Sequence, residues 1–225
     1  MLSNLKKKIH IFHNIYLKHK HFIKKKSYSM DGEDFFIVEY FRKKNNGFYI
    51  DVGCYHPIHR NNTYLLHNNG WSGINIDIHQ FSIDLFNYLR PDDINLNCAV
   101  SDTNGVTKMF YQKALSQLST IDEFQAKIAF QGNIKKSIIK SLTLDTILEK
   151  IKLNDKKIDL LDIDVEGADL RVLKGFTIEK FKPELICVEI HEKEIKSSGV
   201  YKYLSNFSYE LVWSGVFSHI FKSKS

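Results

Sequence analysis

Two segments of the chain place acids where buried strands end. In IDLLDIDVEG (Ile158–Gly167), Asp162 and Asp164 stand two residues apart, so on a strand they share one face, and Glu166 follows just past the end. Unpaired buried carboxylates are costly, so a buried strand carrying three acids at its carboxyl end spends them on function. In LICVEIHE (Leu185–Glu192), Glu189 and His191 again share a face. If the two strands are neighbours, Asp164, Glu189 and His191 converge and can bind a divalent cation or deprotonate a hydroxyl. Two oxygens and one imidazole nitrogen suit Mn²⁺ better than Mg²⁺. The alternative is a polar network that only holds the strand ends together. A zinc-protease helix is excluded, because no second histidine follows His191-Glu192 at the required spacing.

A second set of residues is spaced to hold an adenosine-containing cofactor. FYIDVG (Phe48–Gly53) is a buried run ending in Asp51, with Gly53 turning the chain so that backbone amides and a carboxylate reach the crevice above a sheet. By itself this D-x-G turn is also compatible with an ordinary strand-to-helix connection. Some 24 residues beyond Gly53, GINID ends in Asp77, where a carboxylate hydrogen-bonds ribose hydroxyls. A third run, INLNCAVSD, ends in small and polar residues from Ala99 to Asp102, suited to an adenine ring.

The elements that must position these residues alternate short apolar runs with helical stretches, the pattern of a doubly wound α/β sheet. Strands are expected near Phe48–Val52, Gly73–Asp77, Ile94–Val100, Ile158–Asp164 and Glu184–Ile190. Helices are expected near Ile58–His67, Gln80–Leu89, Thr143–Lys150 (with Thr143 as N-cap) and Ala168–Lys174. Two β-rich runs around Ser214-Gly215 predict a terminal hairpin. Residues 111–141 are more polar and lack strand rhythm, which reads as a substrate-facing insertion.

Read together, these segments resemble the FkbM family of S-adenosylmethionine (SAM)-dependent methyltransferases over roughly residues 27–213. The landmarks are MDGEDF (Met30–Phe35), FYIDVG, NNTYLL (Asn61–Leu66), NGWSGINID (Asn69–Asp77), NCAVSD (Asn97–Asp102), LTLDTIL (Leu142–Leu148), LLDIDVEGADLRVLKGF (Leu160–Phe176) and PELICVEIHE (Pro183–Glu192). The resemblance implies a Rossmann-like class I methyltransferase fold, a mostly parallel sheet with a C-terminal antiparallel hairpin. It implies O-methylation of a hydroxyl on a sugar, nucleotide sugar or surface-glycan precursor, as in polysaccharide biosynthesis. It places Asp51 and Gly53 beside the methionine part of SAM, Asp77 at the ribose and Ala99 at the adenine. Glu33, Asp34, Asn62 and Thr63 are expected to close over cofactor or substrate. Tyr55, Asp102 and Asp162 complete the expected cofactor contacts, and Asp164, Glu189 and His191 the catalytic or metal set. The chain departs from the family where Met30 replaces a frequent Gln, and where Cys54-Tyr55-His56-Pro57 replaces a second glycine.

The chain has 225 residues with 43% hydrophobic and 13% aromatic content, which specify a packed core. Its net charge of +6 is concentrated. Residues 1–26 hold eight lysines and no acid, leaving −2 for residues 27–225, so the body has no nucleic-acid footprint. The segment 1–26 reads as a basic amphipathic extension to a methyltransferase domain spanning 27–225. Its Leu5, Ile9, Phe12 and Tyr16 lie at helical spacing, either packed on the domain or free for a membrane surface or partner. No apolar run is long enough for a membrane span, and no secretory signal is evident. Three scattered cysteines point to a reduced, cytoplasmic protein. Two other functions compete. A nicotinamide-dependent oxidoreductase is disfavoured by the absence of G-x-G-x-x-G, and a non-catalytic module would dock through the basic tail.

Overall fold

Every residue of the expected first strand is buried, as a central strand covered by helices on both faces requires. The computed structural model describes residues 2–19, 25–153 and 155–224. Its strands are β1 (Phe48–Val52), β2 (Ser72–Asp77), β3 (Ile94–Asn97), β4 (Ala99–Val100), β5 (Gly105–Tyr111), β6 (Lys135–Leu142), β7 (Leu160–Ile163), β8 (Leu185–Glu189), β9 (Tyr209–Ser214) and β10 (Ser218–Ser223). The helices are α1 (Leu2–Phe12, continuing as a π-helix over His13–Lys18), α2 (Glu33–Tyr40), α3 (Tyr64–Asn68), α4 (Gln80–Leu89), α5 (Glu123–Ala129), α6 (Leu144–Lys150), α7 (Asp169–Lys174), α8 (Ile178–Phe181) and α9 (Gly199–Asn206).

Seven strands form one sheet in the order β3-β2-β1-β7-β8-β10-β9. All pairs are parallel except those of β10, which runs antiparallel to β8 and β9. This is the Rossmann-like class I methyltransferase architecture, with the terminal hairpin completing the edge. The chain reverses its direction of travel between β1 and β7, and open α/β sheets bind ligands at that switch point. Ile50, Val52, Ile74, Leu161 and Val188 pack on one face with the buried sides of α6, α7 and α9. Tyr49, Leu160 and Cys187 pack on the other with Ile37, Phe41 and Trp71. Thr143 caps α6 as expected, its hydroxyl accepting from Thr146 N at 3.1 Å. No helix among the described residues is long and apolar enough to cross a membrane.

Several elements differ from the sequence expectation. The third strand breaks at Cys98: β3 stays in the main sheet while β4 leaves to pair with β6 in a second sheet, β4-β6-β5. That sheet and α5 occupy much of residues 105–142, including the stretch that lacked strand rhythm. One face of β6 is open to solvent, but Ile138 lies on that face while Ser137 and Ser141 lie on the covered one, so the residue types do not alternate as the burial does. The helix expected from Ile58 begins only at Tyr64, because side-chain bonds hold residues 57–63 as a loop. In the N-terminal helix, Leu5, Ile9 and Phe12 are exposed while Ile11 and Ile15 are buried against Ile58 and Leu85. Of the four residues the spacing marked, only Tyr16 packs against the body.

Candidate active site

Gly53 determines how closely β1 and β7 approach at the switch point. Its φ is +89°, and a Cβ there would lie 1.7 Å from the Asp164 carbonyl oxygen, so only glycine fits. The turn delivers Gly53 N and Cys54 N to the Ile76 carbonyl, at 2.8 and 3.1 Å. Above it opens a crevice of about 480 Å³, lined by Gly53 and Tyr55, by Asp77 and His79 at the end of β2, by Cys98–Val100, and by Gln117 and Ser119 from the segment leading to α5. Asp77 accepts backbone N–H groups from Tyr55 (2.9 Å) and His79 (2.6 Å). Each oxygen keeps a lone pair that a ribose hydroxyl can use. Burial pushes the Asp77 carboxyl up to about 6, against these hydrogen bonds. Burial also lowers His79 to about 4, leaving a neutral ring 2.7 Å from the Ser119 hydroxyl.

Through Gly53, Gln117 and Asp164 this crevice joins a second cavity of about 450 Å³. Glu33, Asp51, Asp162, Asp164 and Glu189 line it, with Arg60 the one lysine or arginine among the lining residues. The sheet register explains the crowding, since Asp51 pairs with Asp162 across β1 and β7. Asp51 Oδ2 accepts from Thr63 Oγ1 (2.8 Å) and Asn61 Nδ2 (3.0 Å), yet burial holds its carboxyl up at about 6. Burial and then the Asp51 charge raise Asp162 well above the carboxylate range, opposed by Asn62 Nδ2 at 3.1 Å. Asp164 is reached by solvent and lines both cavities. Its poor solvation there, then the charges of Glu189, Glu166 and Asp169, raise it strongly. Burial and Glu189 likewise lift Glu166 to about 8 and Asp169 to about 7.

Where β8 ends, His191 Nε2 lies 3.0 Å from Glu189 Oε2, and that contact pushes the imidazole up to about 9. His191 is therefore an imidazolium at neutral pH and not the ready base its ordinary value implies. Glu166, Glu189 and His191 each offer a ligand atom within 4.8 Å of the others.

The FkbM methyltransferase domain matches residues 51–211, well over half of the chain. The chain belongs to the FkbM methyltransferase family. It is thus a methyltransferase that uses SAM, and its residues fit that cofactor: Asp77 would hold the ribose, and Asp51 and Asp164, where the crevice joins the second cavity, would face the cationic sulfonium and amino groups. A TehB-like SAM-dependent methyltransferase from Corynebacterium glutamicum aligns over 100% of both chains at 10% sequence identity and a TM-score of 0.44. So distant a likeness carries no weight, and the fold rests on the strand order itself. No curated protein matches the sequence.

Of the FkbM positions expected at the cofactor, Glu33, Asp51, Gly53, Tyr55, Asn62, Asp77, Ala99 and Asp162 line the two cavities. Three others do not. Thr63 is wholly buried behind Asp51 and orients it. Asp102 lies outside the crevice, bonded to Ser101 Oγ and paired with Arg171. Asp34 accepts from Ser27 Oγ, Tyr28 N and Ser29 Oγ, fixing the turn before α2. Among the described residues, Glu166 rather than Asp164 is the acid that comes together with Glu189 and His191. Glu166 has φ +55° and Gly167 +91°, so the chain turns past the strand and strand parity no longer decides which acids meet.

Sequence reasoning missed Arg90, His79 and Gln117. Arg90 is fully buried and donates to Asn61 Oδ1 (2.7 Å), Thr63 Oγ1 (2.9 Å) and the Pro57 carbonyl. It thereby organises the loop behind Asp51. An arginine ending an apolar helix before a proline reads as a surface residue, so nothing in the sequence signalled it. His79, two residues past Asp77, was findable from the strand end.

Proposed function

We propose that this methyltransferase transfers the SAM methyl group to a hydroxyl of a sugar, nucleotide sugar or surface-glycan precursor. The observation that carries the reading is the second cavity, whose acceptor-rich lining suits the hydroxyls of a sugar and would leave the phosphates of a nucleotide sugar outside it. Bound SAM supplies an electrophilic methyl group, and the chain's own residues must then hold the acceptor oxygen and take its proton. Asp164 lines both cavities, so it stands where cofactor and acceptor would meet, and its carboxylate form, favoured once the cationic sulfonium is bound beside it, is the group proposed to receive that proton.

Glu166, Glu189 and His191 would hold a divalent cation, Mn²⁺ in preference to Mg²⁺ for this mixed set, at the edge of the acceptor cavity. Glu189 Oε2 supports this, being buried without a hydrogen bond, since His191 stands near it but out of line. A cation bound there would lower the pKa of a coordinated hydroxyl and orient it. The test is mass spectrometry of SAM incubated with a panel of nucleotide sugars and free glycans, with and without chelator, on wild type and Asp164→Asn. Methylated sugar whose yield falls in the variant supports the reading. Full turnover in chelator removes the cation, and full turnover in Asp164→Asn removes the proton acceptor. SAM binding with no sugar methylated across the panel refutes the acceptor class.

A further inference from the structure

The N-terminal helix carries two apolar faces, and only one is covered. Ile11 and Ile15 pack against Ile58 and Leu85. Lys7 faces the body and pairs with Asp84 at 2.7 Å. On the outer side Leu5, Ile9 and Phe12 are 58%, 59% and 51% exposed, too open for core residues. At 100° per residue these three fall within a sector of about 60°. Lys6 then lies on one flank of the stripe and Lys8 on the other, both exposed. Packing on the domain accounts for Ile11 and Ile15 and leaves this stripe unexplained.

We propose that the outer face of α1 seats the enzyme on an anionic phospholipid bilayer, with Leu5, Ile9 and Phe12 in the headgroup–acyl boundary and Lys6 and Lys8 against the phosphates. A narrow apolar stripe edged by lysines is the form of a helix that lies in a membrane interface. Charge selects this occupant over a second copy of the chain. Residues 1–26 carry eight lysines and no acid, so two such helices repel where an anionic surface attracts. The anchoring is continuous with the active site. The carbonyl of Asn14, in the π-helical continuation of α1, meets His56 Nε2 at 3.3 Å, and the loop that His56 begins carries Arg60 into the lining of the acceptor cavity. A helix fixed at the bilayer therefore holds the acceptor cavity at a defined distance from the membrane.

The test is co-sedimentation of the full chain with vesicles, without SAM or acceptor, so its outcome is independent of the methyl-transfer reading. One set is phosphatidylglycerol and phosphatidylcholine in equal parts, the other phosphatidylcholine alone. The chain should pellet with the anionic vesicles, be released by high salt, and stay in solution with the neutral ones. Each lysine near such a surface contributes about fivefold in partition, so Lys6→Gln with Lys8→Gln should weaken binding roughly 25-fold. Leu5→Ser, Ile9→Ser and Phe12→Ser together should abolish pelleting with a melting temperature close to that of wild type, since each of these side chains is more than half exposed. Phe12→Trp should shift its fluorescence to the blue on anionic vesicles only. The proposal is overturned if wild type does not pellet, or if the triple variant pellets equally well. It is also overturned if wild type self-associates in lipid-free sedimentation equilibrium and the triple variant does not, because a second copy then covers the stripe.

Discussion

Replacing Asp77 by alanine separates ribose recognition from support of the fold. The carboxylate accepts two backbone N–H groups, from Tyr55 and His79, and lines the crevice above Gly53. Losing a hydrogen bond between a charged acceptor and the ribose costs about 1.5–3 kcal/mol, roughly a tenfold to 150-fold rise in the Kd for SAM. The freed Tyr55 and His79 amides adjoin the crevice, where water can reach them, so the stability loss should stay near about 1–2 kcal/mol. Asp77→Asn keeps one acceptor oxygen and should fall between wild type and Asp77→Ala. Isothermal titration with SAM and its demethylated product, alongside melting of each variant, measures both quantities. A second arm uses pH. Asp77 titrates near about 6 in the free protein, and its ionised form is the acceptor. Wild-type affinity should therefore weaken as pH falls below about 6, with a shallower slope in Asp77→Ala, where Asp51 (also about 6) remains. Unchanged affinity in a cooperatively melting Asp77→Ala would refute the ribose assignment. An affinity loss equal to the loss of folded protein would refute the separation of roles.

Gly53→Ala should lower the melting temperature sharply and eliminate SAM binding, because its Cβ meets the Asp164 carbonyl oxygen. Gly132→Ala, at φ +85° with nothing within 4 Å, should show only the backbone cost of about 1–2 kcal/mol, and equal melting of the two variants would disprove the close-approach argument. Arg90→Met should destabilise by about 3 kcal/mol or more and weaken SAM binding through the loop behind Asp51, since it strands the buried Pro57 carbonyl and removes the guanidinium that ties Asn61 and Thr63 together. Calorimetric stability close to wild type would show that the buried guanidinium is dispensable. The free protein should lose stability as pH rises from about 6 to about 8. Asp169 (about 7) and Glu166 (about 8) have folded pKa values raised above their unfolded ones, so their contribution is full at low pH and lost as pH passes those values. A melting temperature that climbs over this interval would contradict the raised values.

Local periodicity and strand-end chemistry sufficed for much of this molecule. Continuous apolar runs for the buried strands, Thr143 as a cap and Asp51 and Asp77 at the ends of β1 and β2 are properties of a few consecutive residues, so they were legible in the chain alone. The convergence of β7 and β8 also followed, because parallel neighbours bring their carboxyl ends together. Three features were settled only by tertiary structure. Cys98 divides one apolar run between two sheets, and the competing partner, β6, lies far along the sequence. Glu166 reaches Glu189 and His191 because left-handed turns at Glu166 and Gly167 cancel the alternation that singled out Asp164. The basic helix buries Ile11 and Ile15 and exposes Leu5, Ile9 and Phe12, because the side it turns to Ile58 and to Leu85 of α4 is not the one the spacing singled out. Each case turns on a contact between segments distant in sequence, and such a contact leaves no trace in local pattern.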